Sequence, residues 1–263
     1  MKSIIATFAL LTAMTFTTVA EAAIKMEPLA YQAGTVTAKS WIIYDTKFSG
    51  KRPGVIVAPE WWGVTDYTKK RGEMLARLGY MALVADLYGD GKITESADEA
   101  GKLAGPLKGG DRAELRARMA AALEALKKNP LVEADKIAAI GYCFGGTAAL
   151  ELARSGANLT GLVSFHGGLD VGTAPAATEI KPKILVETGG EDPMVPPDQV
   201  KAFEDEMRAA NANWEVNIYS GAQHAFTNPG ADSHHIPGLA YNKQADERSW
   251  QSMKNFFLEI FKY

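Results

Sequence analysis

The chain is nearly devoid of cysteine. Cys143 is the only one in 263 residues, so no disulfide can close within the chain, and the fold must stand on its apolar core. An excess of charge of either sign is also missing. The net charge is −3, which excludes a bulk electrostatic partner such as nucleic acid or an anionic membrane surface. Histidines are few, and His234 and His235 are adjacent in a loop where neighbouring side chains rarely share one metal. No third ligand accompanies them, so neither a metal nor another cofactor is expected. Repeats, low-complexity tracts and linkers are absent, and 47% hydrophobic content is enough for one sizeable core. A small-molecule partner and a monomer fit this balance best.

Residues 1–22 read as an export leader. Lys2 supplies the positive start, Ile4 to Val19 the apolar run, and Ala20-Glu21-Ala22 a small-x-small cleavage site. A spanning helix wants a longer apolar run, unbroken by threonines. The expectation is a periplasmic or secreted protein with one domain over residues 23–263. In an oxidising compartment, a lone thiol is either buried and inert or kept for its reactivity.

Beyond about residue 35, strand-like and helix-like segments alternate. Strands are expected at Val36–Tyr44, Gly54–Pro59, Tyr80–Leu87, Lys136–Ile140, Leu159–Phe165, Lys183–Thr188 and Trp214–Tyr219. Helices are expected at Tyr67–Leu78, Thr94–Leu103, Arg112–Lys127, Thr147–Ala153, Pro197–Asn211 and Asn242–Phe261. The apolar stripe of the last, from Trp250 through Ile260, reads as core. Such alternation implies an α/β fold, with a mostly parallel central sheet and helices on both faces. Sites on such sheets lie beyond the carboxyl ends of the strands.

Cys143 sits at such an end, in Gly141-Tyr142-Cys143-Phe144-Gly145-Gly146. This is the strand–nucleophile–helix turn of the α/β-hydrolase fold, with cysteine where serine is usual. The glycines leave room for a sharp turn, and the helix N-terminus favours negative charge on the sulfur and on a developing oxyanion. A thiol nucleophile needs a base, and the base needs an orienting acid. In the chain order nucleophile, acid, histidine, the candidates are Asp192 and His224, each leaving a predicted strand. Glu191 is the alternative acid, Asp192 before Pro193 could be only a turn-former, and His224 could be a structural histidine. His166 breaks the expected order and reads as a pocket wall or a structural hydrogen-bonding group. Glu60, in the loop after the first buried strand, is a candidate to take the thiol proton or an ordinary loop acid. The N–H groups of Phe144 and Trp61 are the candidate oxyanion donors.

Together these segments resemble the dienelactone hydrolases (carboxymethylenebutenolidases). Pro59-Glu60-Trp61-Trp62-Gly63, Ala85-Asp86-Leu87-Tyr88, the Cys143 turn, Gly190-Glu191-Asp192-Pro193 and His224-Ala225-Phe226 carry the likeness. The resemblance implies a Cys143–His224–Asp192 triad, with the resting thiol held neutral against Glu60 until substrate displaces that carboxylate. It implies hydrolysis of a small ester, lactone or thioester through an acyl-enzyme. Trp62, Tyr88, Lys92, His166, Phe226 and Asn228 are then expected around the substrate. Family members acting on dienelactone hold its carboxylate with two arginines. Here Asp90 and Asn228 occupy those places, and Lys92 is the nearby cation. A non-catalytic binding protein on the same fold is the alternative, and a thiol redox role would lack a resolving cysteine.

Overall fold

The computed structural model describes residues 23–173 and 179–262. The expected leader lies outside the described residues. Among those residues one eight-stranded sheet runs β1-β2-β4-β3-β5-β6-β7-β8. The strands are β1 Ile24–Ala33, β2 Val36–Asp45, β3 Arg52–Ala58, β4 Met81–Val84, β5 Val132–Tyr142, β6 Gly161–Phe165, β7 Lys183–Gly189 and β8 Trp214–Tyr219. Pairing is antiparallel for β1 with β2 and β2 with β4, and parallel from β4 onward. The helices are α1 Asp66–Arg77, α2 Ala97–Lys108, α3 Ala113–Lys127, α4 Phe144–Arg154, α5 Pro197–Ala209 and α6 Lys243–Phe261. This is the α/β-hydrolase fold.

The central strands are apolar throughout because both their faces are covered. Along β3, Ile56 and Ala58 enter the core beneath α2, α3, α4 and α5, while Val55 and Val57 enter the core beneath α1 and α6. Met253, Phe257 and Ile260 bring α6 into the second core, as its stripe predicts. With β3 to β8 parallel, the residues following them gather along one rim: Glu60, Asp86, Cys143, His166, Asp192 and His224.

Several elements differ from the sequence reading, β5 among them by starting at Val132, and three differ for a visible physical reason. Strand β1 was not expected. It is an edge strand whose residues alternate between half-buried and exposed, and Pro28 sits in it, a residue that only an edge tolerates well. Strand β4 stops at Val84, because the chain then turns around Asp86. The Asp86 carboxylate accepts from the N–H groups of Lys39, Tyr88, Gly89 and Gly91 at 2.8–3.0 Å, an arrangement a continuing strand could not make. Helix α2 does not end near Leu103. It continues through Pro106 to Lys108, at the cost of one intrahelical bond.

A buried ionic cluster ties α3 and α4 to the end of α2. Glu151 is fully buried and pairs with Arg112 at 3.1 Å, Arg116 at 2.7 Å and Arg154 at 3.1 Å. Arg112 also pairs with Asp170 and donates from Nε to the Lys108 carbonyl at 2.9 Å. Glu151→Ala leaves guanidinium groups buried without their shared anion. The expected loss is about 3–5 kcal/mol, read in thermal denaturation as a Tm lower by roughly 10 °C.

Candidate active site

Cys143 occupies the turn between β5 and α4 with φ +53° and ψ −117°, a conformation L-residues adopt only under constraint, at about 1–3 kcal/mol. Two glycines make the constraint possible. A Cβ on Gly141 would stand 1.9 Å from the Gly145 carbonyl oxygen, and one on Gly145 would stand 2.2 Å from the carbonyl oxygen of Ala58 in β3. The turn is closed by Gly146 N–H donating to the Cys143 carbonyl at 2.9 Å. Cys143 remains partly exposed, whereas every residue of α4 behind it is buried.

The loops after β7 and β8 bring an acid and a histidine to the same rim. His224 Nδ1 lies 2.8 Å from Asp192 Oδ2, with both side chains buried. Asp192 Oδ1 also accepts from the N–H of Met194 at 2.8 Å, so Asp192 shapes its turn and faces the imidazole together. Glu191 is exposed, with its side chain outside this pair. His224 Nε2 is buried without a hydrogen bond of good geometry. Burial alone would lower the His224 pKa, but the neighbouring Cys143 sulfur and Asp192 outweigh it and raise it to about 10.

The loop after β3 contributes backbone and an acid. Glu60 C=O accepts from Gly63 N–H at 3.1 Å, and the Tyr88 hydroxyl donates to Trp61 C=O at 2.8 Å. Both peptide planes flanking Trp61 are thereby held. Among the described residues, the N–H groups of Trp61 and Phe144 have no acceptor. Glu60 is 2% exposed, and its Oε2 accepts from Asn228 Nδ2 at 2.7 Å. Burial pushes its pKa up to about 7, against the opposing Asn228 bond and the positive fields of His224 and Arg71. The Cys143 sulfur lies beside His224, and the carboxyl of Glu60 is bonded to Asn228. An amide donor reaches the carboxylate here, at the position where dienelactone-acting relatives were expected to carry an arginine.

A cavity of about 180 Å³ opens at Cys143, lined on one side by Trp61, Phe144, Val195 and Leu239 and bordered by His224 and Lys108. It is small and mostly apolar. Lys108 makes no ion pair among the described residues, and its Nζ would lie 3.5 Å from a Cβ placed on Gly168. Sequence reasoning missed this cation because α2 was expected to end before Pro106.

The residues expected around the substrate lie outside the lining of this cavity. Trp62 stacks on His234 with ring centroids 4.0 Å apart, and both line a separate open groove of about 910 Å³ that also includes Asn228. Adjacent tryptophans thus face different spaces. Tyr88 is buried and stacked on Phe144, with ring centroids 5.9 Å apart. Lys92 is exposed and outside both linings, and Asp90 pairs with Lys39 at 3.8 Å. His166 and Phe226 are fully buried, their rings 5.2 Å apart.

This geometry has counterparts among known proteins. The sequence model of the Dienelactone hydrolase family matches residues 41–261. The chain belongs to the dienelactone hydrolase family. A putative carboxymethylenebutenolidase of Saccharolobus solfataricus is 30% identical, the match covering 79% of this chain and 90% of that protein. A probable 2-oxo-3-(5-oxofuran-2-ylidene)propanoate lactonase of Bradyrhizobium is 27% identical over 78% of this chain and 82% of its own length. The crystal structure of a dienelactone hydrolase-like promiscuous phosphotriesterase from metagenomic libraries superposes with a TM-score of 0.86 at 44% identity, covering 90% of this chain and 99% of that one. This dienelactone hydrolase family member is accordingly a hydrolase with the α/β-hydrolase fold.

Glu60 has a measurable signature. Its raised pKa means that the folded protein holds a proton the unfolded chain releases between the ordinary glutamate value and about 7. Stability therefore falls as pH rises through that window. Glu60→Gln removes this share, about 2–3 kcal/mol between pH 5 and pH 8, measurable by urea denaturation at the two pH values. Some slope persists, because burial also pushes Glu187 up to about 7.

Proposed function

We propose that this dienelactone hydrolase family member cleaves a small ester, lactone or thioester through a cysteine acyl-enzyme. One observation carries the reading: a strained, partly exposed Cys143 on the same rim as a buried His224 that is paired with Asp192 at 2.8 Å. His224, favoured in its charged form beside the sulfur and Asp192, holds the proton lost by the thiol, and the sulfur attacks the substrate carbonyl carbon, forming the C–S bond. The N–H groups of Phe144 and Trp61 receive the oxyanion, a contribution of a few kcal/mol for each donor. The bond from the carbonyl carbon to the leaving oxygen, or to the leaving sulfur of a thioester, then breaks, and His224 returns the proton to that atom. A water, deprotonated by His224, attacks the thioester and releases the acid and the thiol. In a lactone, the leaving oxygen stays attached, and one hydroxy acid is released.

Glu60 supports this chemistry by holding its proton. A carboxylate next to Trp61 would repel the oxyanion, and burial keeps Glu60 neutral up to about pH 7.

The cavity supports a small, largely apolar acyl group bearing an anionic substituent. Among the described residues, the cation in its lining that makes no ion pair is Lys108. The Bradyrhizobium relative, named for an anionic lactone, points the same way. The relative named as a promiscuous phosphotriesterase makes an aryl phosphotriester the second substrate to assay. Export, with action in the periplasm or outside the cell as a monomer, completes the proposal.

Turnover of an activated aryl ester tests the triad. Cys143→Ala and His224→Ala are each expected to lose at least about a thousandfold in kcat, the scale on which loss of one member of a cooperating catalytic set is felt. Equal turnover in all three proteins would sink it. Tight retention of a ligand without turnover would favour the non-catalytic binding alternative. For the acyl side, Lys108→Ala should raise KM for an ester with an acyl-side carboxylate about tenfold, with a neutral ester changed little. Parallel changes for both esters would remove Lys108 from recognition.

A further inference from the structure

His166 is fully buried and outside the cavity, yet it joins the two loops that carry the thiol and the imidazole. Its Nδ1 accepts from the N–H of Cys143 at 3.1 Å. Its Nε2 meets Thr227 Oγ1 at 2.7 Å, and Thr227 follows His224 in the same loop. The His166 ring also stands edge-on to the His224 ring, with centroids 5.3 Å apart.

The far side of this link is anchored. Tyr67 Oη lies 2.6 Å from Thr227 Oγ1, and Arg71 Nη2 donates to the Thr227 carbonyl at 2.6 Å. Arg71 in turn pairs with Asp246 of α6 at 2.5 Å. Helices α1 and α6 thus hold Thr227, Thr227 holds His166, and His166 holds the nucleophile turn.

We propose that His166 is the positioning residue that sets the Cys143 sulfur against His224. The bond to the Cys143 N–H fixes the tautomer: Nδ1 has a free lone pair, so the ring proton is on Nε2 and is donated to Thr227. Both nitrogens are therefore engaged, and His166 neither supplies nor removes a proton during turnover. Burial, reinforced by the positive fields of His224 and Arg71, holds its pKa well below the ordinary histidine value, so the acceptor at Nδ1 persists throughout the working range. Cys143 has a positive φ, and a strained turn relaxes unless its neighbours over-determine it. Without the ring acceptor, the Cys143 N–H keeps only the Phe165 carbonyl at 3.0 Å, and the tie to the His224 loop is lost.

The inference rests on Cys143 as nucleophile, and its test separates the two. Asparagine at 166 places an acceptor near the position of Nδ1, while leucine fills similar space without one. His166→Leu is expected to lose about a hundredfold in kcat on an aryl ester with KM little changed, the scale of an ångström-level misplacement. It should also slow alkylation of Cys143 by iodoacetamide at pH 7. His166→Asn should recover at least about tenfold of the kcat loss, and Thr227→Val, cutting the link at its other end, should fall between. Melting temperatures report whether each variant is folded. A folded His166→Leu with wild-type kcat and alkylation rate overturns the proposal, as does an Asn variant no better than Leu. Should the Leu variant not fold, Thr227→Val decides: wild-type kcat and alkylation rate in it also overturn the proposal. Alkylation requires no turnover. Persistent turnover in Cys143→Ala would therefore refute the nucleophile reading without altering the positioning comparison.

Discussion

The backbone of Cys143 is the point on which the rest of the site hangs. A residue with φ +53° does not hold that conformation by its own preference. It is held because Gly141 and Gly145 let the chain pass within contact of itself and of β3. The wholly buried α4 limits how far the turn can relax. The small residues at the start of α4 serve the same end, since larger ones would lift the helix off the sheet. The exposed sulfur and the free N–H of Phe144 are both products of this one turn.

Around that turn the ionisable groups are sorted by how they are solvated. Asp192 accepts from a backbone N–H and faces an imidazole. Glu60 has a single amide donor in a buried setting and holds its proton. His166, buried and near the positive fields of His224 and Arg71, stays neutral, while His224, between a carboxylate and a sulfur, favours its charged form. Two acids and two histidines in one small volume thereby acquire four different characters. Position, not residue type, distinguishes them.

Much of this was legible in the sequence, and for local reasons. Uninterrupted apolar runs such as Val55 to Ala58 mark strands buried on both faces, and the glycines around Cys143 mark a turn that other residues cannot make. The order of Cys143, Asp192 and His224 along the chain follows from strand order, so their gathering on one rim could be anticipated. What escaped depends on direction and distance. Trp61 and Trp62 are neighbours in sequence but face different cavities. Edge strand β1 lacks the apolar run of a central strand. The last turn of α2 passes a proline that normally signals an end, which hid Lys108. The partnership of His166 with the Cys143 N–H rests on its own positive φ of 40°, which no periodicity announces.

The continuation of α2 past Pro106 separates two kinds of inheritance. The groups proposed for bond-making sit in the packed interior, where most substitutions are costly. The cation bordering the cavity at Cys143 sits on an exposed helix end, where side chains exchange with little effect on stability. Selection can therefore alter what the cavity admits almost independently of the machinery beneath it. A lineage built this way can change diets without rebuilding its kitchen.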